Sequence, residues 1–550
     1  MKNLIACINN CDSKLRNLFK EYNNENSLPL EIFYDTIRKY NLKDALQVIT
    51  IISQMIYREN PTYHNFRPFG LFCSNGEMLT TMAILADLTY HFILSGANDK
   101  NNSKISNKAF YNGIMLSRLC HYHLNCKKFN EKNFNIYNLL QILAKEQGQM
   151  QLPIVPALTR NFIIFEKIAN GTDLYEKRPS LSKDIFINFE KHLNLTYKEY
   201  FQLTFLIFAF VLYDQRTVLD SKILASLEVN SDIFTLDKIN QVLEYLSASY
   251  NEYRQLANTT INLNPLYQKP IIKFDDKRFG KYTCPNISIF LEKCWNGLFY
   301  DAEKYYKENL QKNSKDTIRE TFGYIFEEYV GILIKETLPG AKVYPEITYI
   351  KNRNQFHFFD WIIEIERNKT KEYYAIEVKS SEVPNRYCYD EQLNDYYKKD
   401  VVERIYKGIK KLSDIENVTE LAFLKGKKVY PIFIFKDLPF VNSTVINDLL
   451  VSCSGNYQEL CTKIKNNELY IFNIDTFENF IEMMKDESFS IEWLFDEQKN
   501  NPGENLNSIM QKRYGKVLLR NTYLENTFEE IFYGLIPKEY NDKKIPSANL

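Results

Sequence analysis

The sequence predicts a multidomain chain of the α + α/β class, and three observations predict it. At 550 residues with an ordinary apolar fraction of 45%, the chain exceeds what one core organises, since single cores seldom grow past ~250–300 residues. Residues 1–262 repeat apolar positions at helical spacing. Residues 317–499 instead mix such stretches with short runs of aromatic and β-branched residues.

In the first region, helical spacing covers 30–37, 44–57, 78–94, 137–145, 158–169 and 236–257. Pro153, Pro156 and Gly171 punctuate it as turn or cap residues. The longest apolar run, 201–213, is interrupted by Gln202 and Thr204 and is shorter than the ~18–20 residues of a spanning helix, so it reads as a buried helix. A helical array of this size serves as a sensor, a partner-docking surface or a dimerisation module, and the residues do not choose among these. Residues 263–316 form a connector with strand character at Pro270-Ile271-Ile272 and Tyr282-Thr283-Cys284-Pro285, followed by helices over 287–310. Asn500-Asn501-Pro502-Gly503 marks a linker into an appendage, 500–550, read as helical.

The segment 317–499 carries the chemistry. Phe358-Phe359-Asp360-Trp361-Ile362-Ile363-Glu364-Ile365-Glu366 and Tyr373-Tyr374-Ala375-Ile376-Glu377-Val378-Lys379 read as strands flanking the polar Arg367-Asn368-Lys369-Thr370. A turn centred between Asn368 and Lys369 sets Asp360 directly opposite Glu377, and strand alternation brings Lys379 to the same face. The other face then carries Phe359, Trp361, Ile363, Ile365, Tyr374, Ile376 and Val378 as a core face. Like charges facing each other across a hairpin are destabilising and call for a cation. Hard oxygen ligands suit Mg²⁺, or Mn²⁺ in its place, bound through one or two carboxylates plus substrate phosphate. Such an ion activates water and neutralises charge on a phosphoryl oxygen. A neighbouring lysine orients water or stabilises developing negative charge. The predicted reaction is phosphodiester hydrolysis. The plainer reading of the same residues is an amphipathic hairpin with a charged solvent face.

These residues resemble the PD-(D/E)xK nuclease superfamily, in which an aspartate on one strand precedes Glu-x-Lys on the next and a preceding helix often carries Gly-x-x-Phe-Glu. Here that helix reads Gly323-Tyr324-Ile325-Phe326-Glu327-Glu328, with Phe322, Phe326, Val330, Leu333 and Ile334 at helical spacing. The resemblance covers about 317–435, extending toward 484. It implies a restriction-endonuclease-like α/β/α core with a mixed sheet, continued by a helix over 401–412 and a strand over 429–435; beyond that core, 469–474 reads as a strand and 476–484 as a helix. It implies catalytic roles for Glu327, Asp360, Glu377 and Lys379, and a metal held by Asp360, Glu377, the Val378 carbonyl and Glu327. Phe359 stands where the family's proline precedes the aspartate.

Formal net charge is zero, which argues against constitutive tight duplex binding by the whole chain. Locally, Lys398, Lys399, Arg404, Lys407, Lys410 and Lys411 cluster after the hairpin, with Lys425, Lys427 and Lys428 further on, interrupted by acidic residues. They read either as a phosphate-tracking surface or as a solvated helix face. Cys120-His121-Tyr122-His123-Leu124-Asn125-Cys126 offers zinc-capable side chains, but they lie too close in sequence to wrap one tetrahedral ion and have no second knuckle. His357 reads as a core or edge histidine. Glu364 lies too far along its strand to join Asp360 in a site. The ten cysteines follow no disulfide framework and no secretory signal is visible, so the expected location is cytoplasmic, without membrane. There is no Gly-x-x-x-x-Gly-Lys-Ser/Thr loop and hence no sign of a nucleotide motor.

The expectation is a Mg²⁺-dependent DNA endonuclease acting as a regulated antiphage or restriction effector, with a partner protein docking on the helical region. Two-strand cutting is compatible with a homodimer. The alternatives are an inactive nucleic-acid-binding or scaffold protein with a nuclease-like fold, and a nuclease directed at RNA.

Overall fold

A computed structural model describes residues 34–35, 37–57, 82–101, 154–213, 216–227, 234–259, 264–274, 282–310, 317–367, 369–382, 401–437, 469–501, 504–515 and 520–535. The zinc-capable run 120–126, the expected helix 137–145, Lys398 and Lys399 lie outside them.

Helices predominate in the first part: α1 Leu42–Tyr57, α2 Met82–Leu94, α3 Ile154–Phe162, α4 Asp173–Lys177, α5 Asp184–Leu193, α6 Tyr197–Tyr213, α7 Ser221–Ala225 and α8 Leu236–Leu246. The expected helix 236–257 is two helices. β1 (Ser247–Ser249) interrupts it before α9 (Tyr250–Thr259), because Ser247-Ala248-Ser249 pairs in parallel with β2 (Ile271–Lys273). Serine competes poorly for helix interiors, and here its backbone finds a sheet partner instead. β3 (Tyr282–Thr283) completes this small sheet, antiparallel to β2. Residues 201–212 of α6 are buried, as the apolar run requires. Among the described residues no single helix is long and apolar enough to cross a membrane; α5 and α6 meet that test only as a pair bent by 48°.

After α10 (Ile287–Cys294) and α11 (Leu298–Asn309), the long α12 (Thr317–Thr337) leads into strands β4 Lys342–Pro345, β5 Thr348–Lys351, β6 Asn354–His357, β7 Trp361–Arg367 and β8 Thr370–Glu382. Then follow α13 (Glu403–Lys411), β9 (Val429–Asp437), β10 (Tyr470–Asn473), α14 (Ile474–Met483), α15 (Ile491–Asn500), α16 (Leu506–Arg513) and α17 (Thr522–Phe532). The main sheet has the order β10-β9-β8-β7-β4, antiparallel from β4 to β8 and parallel from β8 to β10. The chain is thus helical with mixed sheets.

Both faces of this sheet are covered. Trp361, Ile363, Tyr374, Ile376, Ile432 and Phe472 join α12 residues Phe322, Phe326, Val330 and Leu333 in one core. Ile362, Tyr373, Ala375, Phe433 and Phe435 join Ile405 and Ile409 of α13 in a second core. Two-sided burial explains why Ile432-Phe433-Ile434-Phe435 of β9 is a continuous apolar run rather than an alternating one. Among the described residues, the first core is one cluster whose members range from Ile37 to Leu535. Within it, Phe528 and Phe532 of α17 pack edge-on or tilted against Phe205 of α6.

One facial assignment changes. Phe359 belongs to the second core, with Ile362, not to the Trp361 face. The reason is that pairing starts at Trp361; residues 358–360 are irregular and do not alternate as a strand.

Candidate active site

The hairpin β7–β8 sets the site. Its register pairs Trp361 with Ile376 and ends with Arg367 opposite Thr370, so the turn is centred between Asn368 and Lys369. Asp360 therefore stands one position before the first pair and Glu377 one position after it. Lys369 takes a positive φ of 65°, and Thr370 Oγ1 donates to the Arg367 carbonyl at 2.7 Å, closing the turn. Asp360 and Glu377 are 8% and 5% exposed.

Two glycines let helices approach this hairpin. A Cβ on Gly331 of α12 would lie 2.1 Å from the Trp361 ring, so only glycine admits the indole there. One turn earlier, the Trp361 Nε1–H donates to the Glu327 carbonyl at 2.9 Å. This contact fixes α12 beside Asp360. On the opposite face, a Cβ on Gly408 would lie 2.4 Å from the Phe433 ring. That close approach brings the end of α13, and Lys411, to Glu377.

The carboxylates are held unequally. Asp360 Oδ2 accepts the Val378 N–H at 2.6 Å; its other oxygen has no hydrogen-bond partner among the described residues. Glu377 is saturated with cations: Lys379 Nζ reaches Oε1 at 2.6 Å and Lys411 Nζ reaches Oε2 at 2.8 Å. Lys411 also donates to the Phe358 carbonyl at 2.8 Å. Glu327 pairs with Arg178 at 3.0 Å, and Arg178 lies 3.8 Å from Glu346. Its neighbour Glu328 points elsewhere and pairs with Lys177 at 2.7 Å.

The electrostatics follow from this partition. Burial pushes Asp360 up to about 7, with repulsion from Glu377 adding and Lys379 opposing. Burial also pushes Glu327 up to about 8, assisted by the charge of Asp360 and opposed by Arg178. Burial works in the same direction at Glu377, but Lys379 and Lys411 together outweigh it and hold the group below its ordinary value. Burial lowers Lys379, yet Glu377 and Asp360 more than reverse that, so it keeps its proton at neutral pH. Lys379 is therefore equipped to act as a cation and not as a base.

A divalent cation suits the chemistry of this donor set. Two adjacent buried carboxylates, one lacking its second partner and both within repulsive reach, match a hard ion that takes one or two carboxylates and keeps its waters. Among the described residues, however, no group of three or more His, Cys, Asp or Glu side chains is gathered closely enough to hold a metal ion. Asp360 and Glu377 are the residues that would hold it, while Glu327, engaged by Arg178, contributes charge from beside them.

Lys411 is corrected from the expected phosphate-tracking surface. Its ammonium is committed to Glu377 and the Phe358 carbonyl. Arg404, Lys407 and Lys410 remain exposed on α13, with Lys410 over the Tyr406 ring at 4.4 Å, and Arg404 is near enough to oppose the charge of Lys379. His357 sits at the exposed edge, 3.1 Å from Glu346. Glu364 is occupied by Lys371 and by Tyr344 at 2.5 and 2.8 Å, away from the site. Lys411 had a sequence signal: it lies two turns after Arg404 and beside the buried stripe Ile405, Gly408 and Ile409. Arg178 had none, since it arrives from the helical region.

No family model, curated protein or solved structure matched this chain.

Proposed function

We propose that this chain hydrolyses phosphodiester bonds of nucleic acid in a Mg²⁺-dependent reaction, with duplex DNA cut internally as the favoured substrate. The observation that carries the reading is the hairpin register: Asp360 in front of Glu377, with Lys379 on the same face and the Glu327 helix locked alongside by Trp361. On this reading the mixed five-stranded sheet between helical layers is a restriction-endonuclease-like core. The ion, when bound at Asp360 and Glu377, would activate water and neutralise phosphoryl charge. The chain's own residues do the rest. Lys379 keeps its proton and stabilises negative charge developing on the phosphate. Arg404, Lys407 and Lys410 attract and orient the backbone. Glu327, with its raised pKa, gives up a proton as positive charge arrives. The helical region, the neutral overall charge and the lack of a motor loop support a regulated effector of antiphage defence or restriction, an analogy of architecture.

Plasmid DNA and structured RNA, each with Mg²⁺, Mn²⁺ or EDTA, are the substrates that test this. Metal-dependent cutting abolished in both Asp360→Ala and Lys379→Ala is the expected result, and preference between the two substrates names the class. A second reading has its own observation: both oxygens of Glu377 are already neutralised by lysines, as they would be in a nuclease fold that binds without cutting. Binding of nucleic acid with no cleavage in either metal, unchanged by Lys379→Ala, would establish that reading instead.

A further inference from the structure

The molecule has a second concave site, lined by residues of α5, α8, α10, α11 and the start of α12 together with Tyr267, Gln268 and Lys269. This cavity of about 610 Å³ falls within the ~300–1,000 Å³ usual for small-molecule sites. Its lining is aromatic and densely charged, with five Lys or Arg side chains against four Asp or Glu. Lys269, Lys293 and Lys304 converge from three elements, while Asp301 serves one of them directly, pairing with Lys293 and accepting the Tyr245 hydroxyl. Lys293 is 9% exposed. Lys269 is half-buried and donates to the Tyr245 carbonyl. Burial, and then repulsion from Lys293, holds its pKa below the usual lysine value, with Asp301 opposing and Lys304 adding to the repulsion.

Four carboxylates share this lining with the lysines. Glu303 is taken by Lys307 and Arg319, Glu292 accepts from Asn296 at 3.1 Å, and Glu308 is exposed. Beside the lysines, the rings of His192 and Tyr305 stack with centroids 4.5 Å apart and an interplanar angle of 26°. Phe189 packs against both rings, with centroids 6.3 and 5.9 Å away, and His192 is the exposed member, so an aromatic cluster borders the hollow. A ligand answering both features carries several negative charges and a flat ring.

We propose that this cavity binds a small nucleoside phosphate, its phosphates on Lys269, Lys293 and Lys304 and its base against the His192–Tyr305 stack. Phosphate relieves the mutual repulsion of the lysines through charge-assisted hydrogen bonds, and stacking on an aromatic face adds to it without demanding a particular base. The inference is independent of the chemistry at Asp360 and Glu377, and its test reads binding alone.

The experiment is isothermal titration of the full chain, in EDTA, with the common ribonucleoside diphosphates, with pyrophosphate and adenosine as the phosphate-only and ring-only probes. At least one nucleoside diphosphate is expected to bind saturably, one per chain, and at least ten-fold more tightly than pyrophosphate or adenosine. Lys304→Glu, an exposed change that leaves the packing alone, is expected to weaken that binding ten-fold or more. His192→Ala is expected to weaken the nucleotide while leaving pyrophosphate unchanged. Lys499→Glu on α15, which does not line the cavity, serves as the charge control. No nucleotide binding down to about millimolar affinity, pyrophosphate binding as tightly as the nucleotide, or indifference to Lys304→Glu would each overturn the proposal.

Discussion

On α12, Tyr329 joins a buried cluster around Arg160, and two residues earlier Glu327 borders the carboxylate site. The Arg160 guanidinium reaches Asp475 at 2.7 Å and Glu478 at 2.8 Å, and the Tyr329 hydroxyl donates to the same Glu478 oxygen at 2.6 Å. Asn521 of the loop before α17 donates to the Glu478 carbonyl at 3.2 Å. One cation thus serves two carboxylates, and the cluster fastens α3, α12 and α14. At the hairpin the distribution is reversed. Two lysines crowd onto Glu377, while Asp360 has a single backbone donor and faces other carboxylates. The Arg160 cluster is closed because Glu478, 1% exposed, is tied into three helices, even though its Oε2 also lacks a hydrogen-bond partner among the described residues and burial pushes it up to about 7. The open cluster leaves Asp360, 8% exposed, tied by one backbone donor of its own hairpin. That contrast separates a cluster that fastens helices from the candidate site.

The largest effect belongs to the closed cluster. Arg160→Met leaves Glu478 buried without its cation, and breaking a buried pair from one side typically costs ~3–5 kcal/mol. The melting temperature is expected to fall steeply, and Arg160→Met/Glu478→Gln to recover part of the loss, because the uncompensated charge is then gone. Equal melting of the single and double variants would mean that Arg160 acts by packing, and the comparison would fail.

The open cluster is expected to answer in the opposite direction. Asp360 is raised to about 7, so between its ordinary carboxylate value and about 7 the folded chain holds a proton that the unfolded chain releases. Folding takes up a proton across that window, and this group's contribution to stability declines as pH rises through it. Asp360→Asn removes the charge and keeps an acceptor for the Val378 N–H. Its advantage over the parent is expected to widen between pH 5 and pH 8 in EDTA by on the order of 2 kcal/mol, given ~1.4 kcal/mol per pKa unit and partial relaxation of the repulsion. Glu377, Glu327, Lys379 and Lys411 face the same carboxyl, so the paired Tm curves, rather than either alone, report the difference. Curves that stay parallel from pH 5 to 8 would show that Asp360 carries no such strain.

The two clusters were unequally legible in the sequence. The hairpin is local: a polar turn between apolar runs fixes its register, and that register puts Asp360, just outside the pairing, at the same end as Glu377. The helix carrying Glu327 is marked by its own apolar spacing. Lys411 reads as basic surface despite its place beside the apolar stripe of α13, because only the close meeting of α13 and β9 at Gly408 brings it to Glu377. Arg178 and Arg160 were illegible, since each meets partners about 150 or more residues away and nothing in a local pattern reports such a meeting. The strand Ser247–Ser249 was missed for the same reason: its partner, not its composition, makes it a strand.

The smallest expected effect concerns the joint between the two clusters, α12 itself. Gly331 lies four residues beyond Glu327, against the Trp361 ring that also clasps the Glu327 carbonyl. Adding a methyl group there forces either the indole or the helix to move, and overpacking of this kind commonly costs about 1–3 kcal/mol. Some of that is offset by the better helix propensity of alanine, worth up to ~1 kcal/mol, leaving a net loss of about 0–2 kcal/mol. The stability change is modest, but the displacement is aimed: α12 moves away from β7, and Glu327 moves with it. Gly331→Ala should therefore leave the Arg160 cluster's contribution intact, seen as an unchanged penalty for adding Arg160→Met, while shrinking the pH-dependent gap between the parent and Asp360→Asn at its alkaline end, because the charge of Asp360 no longer presses on Glu327. If the double variant with Arg160→Met instead loses much more than the sum, the two clusters share one mechanical element rather than two independent ends of it, since distant independent sites add to within ~0.5 kcal/mol.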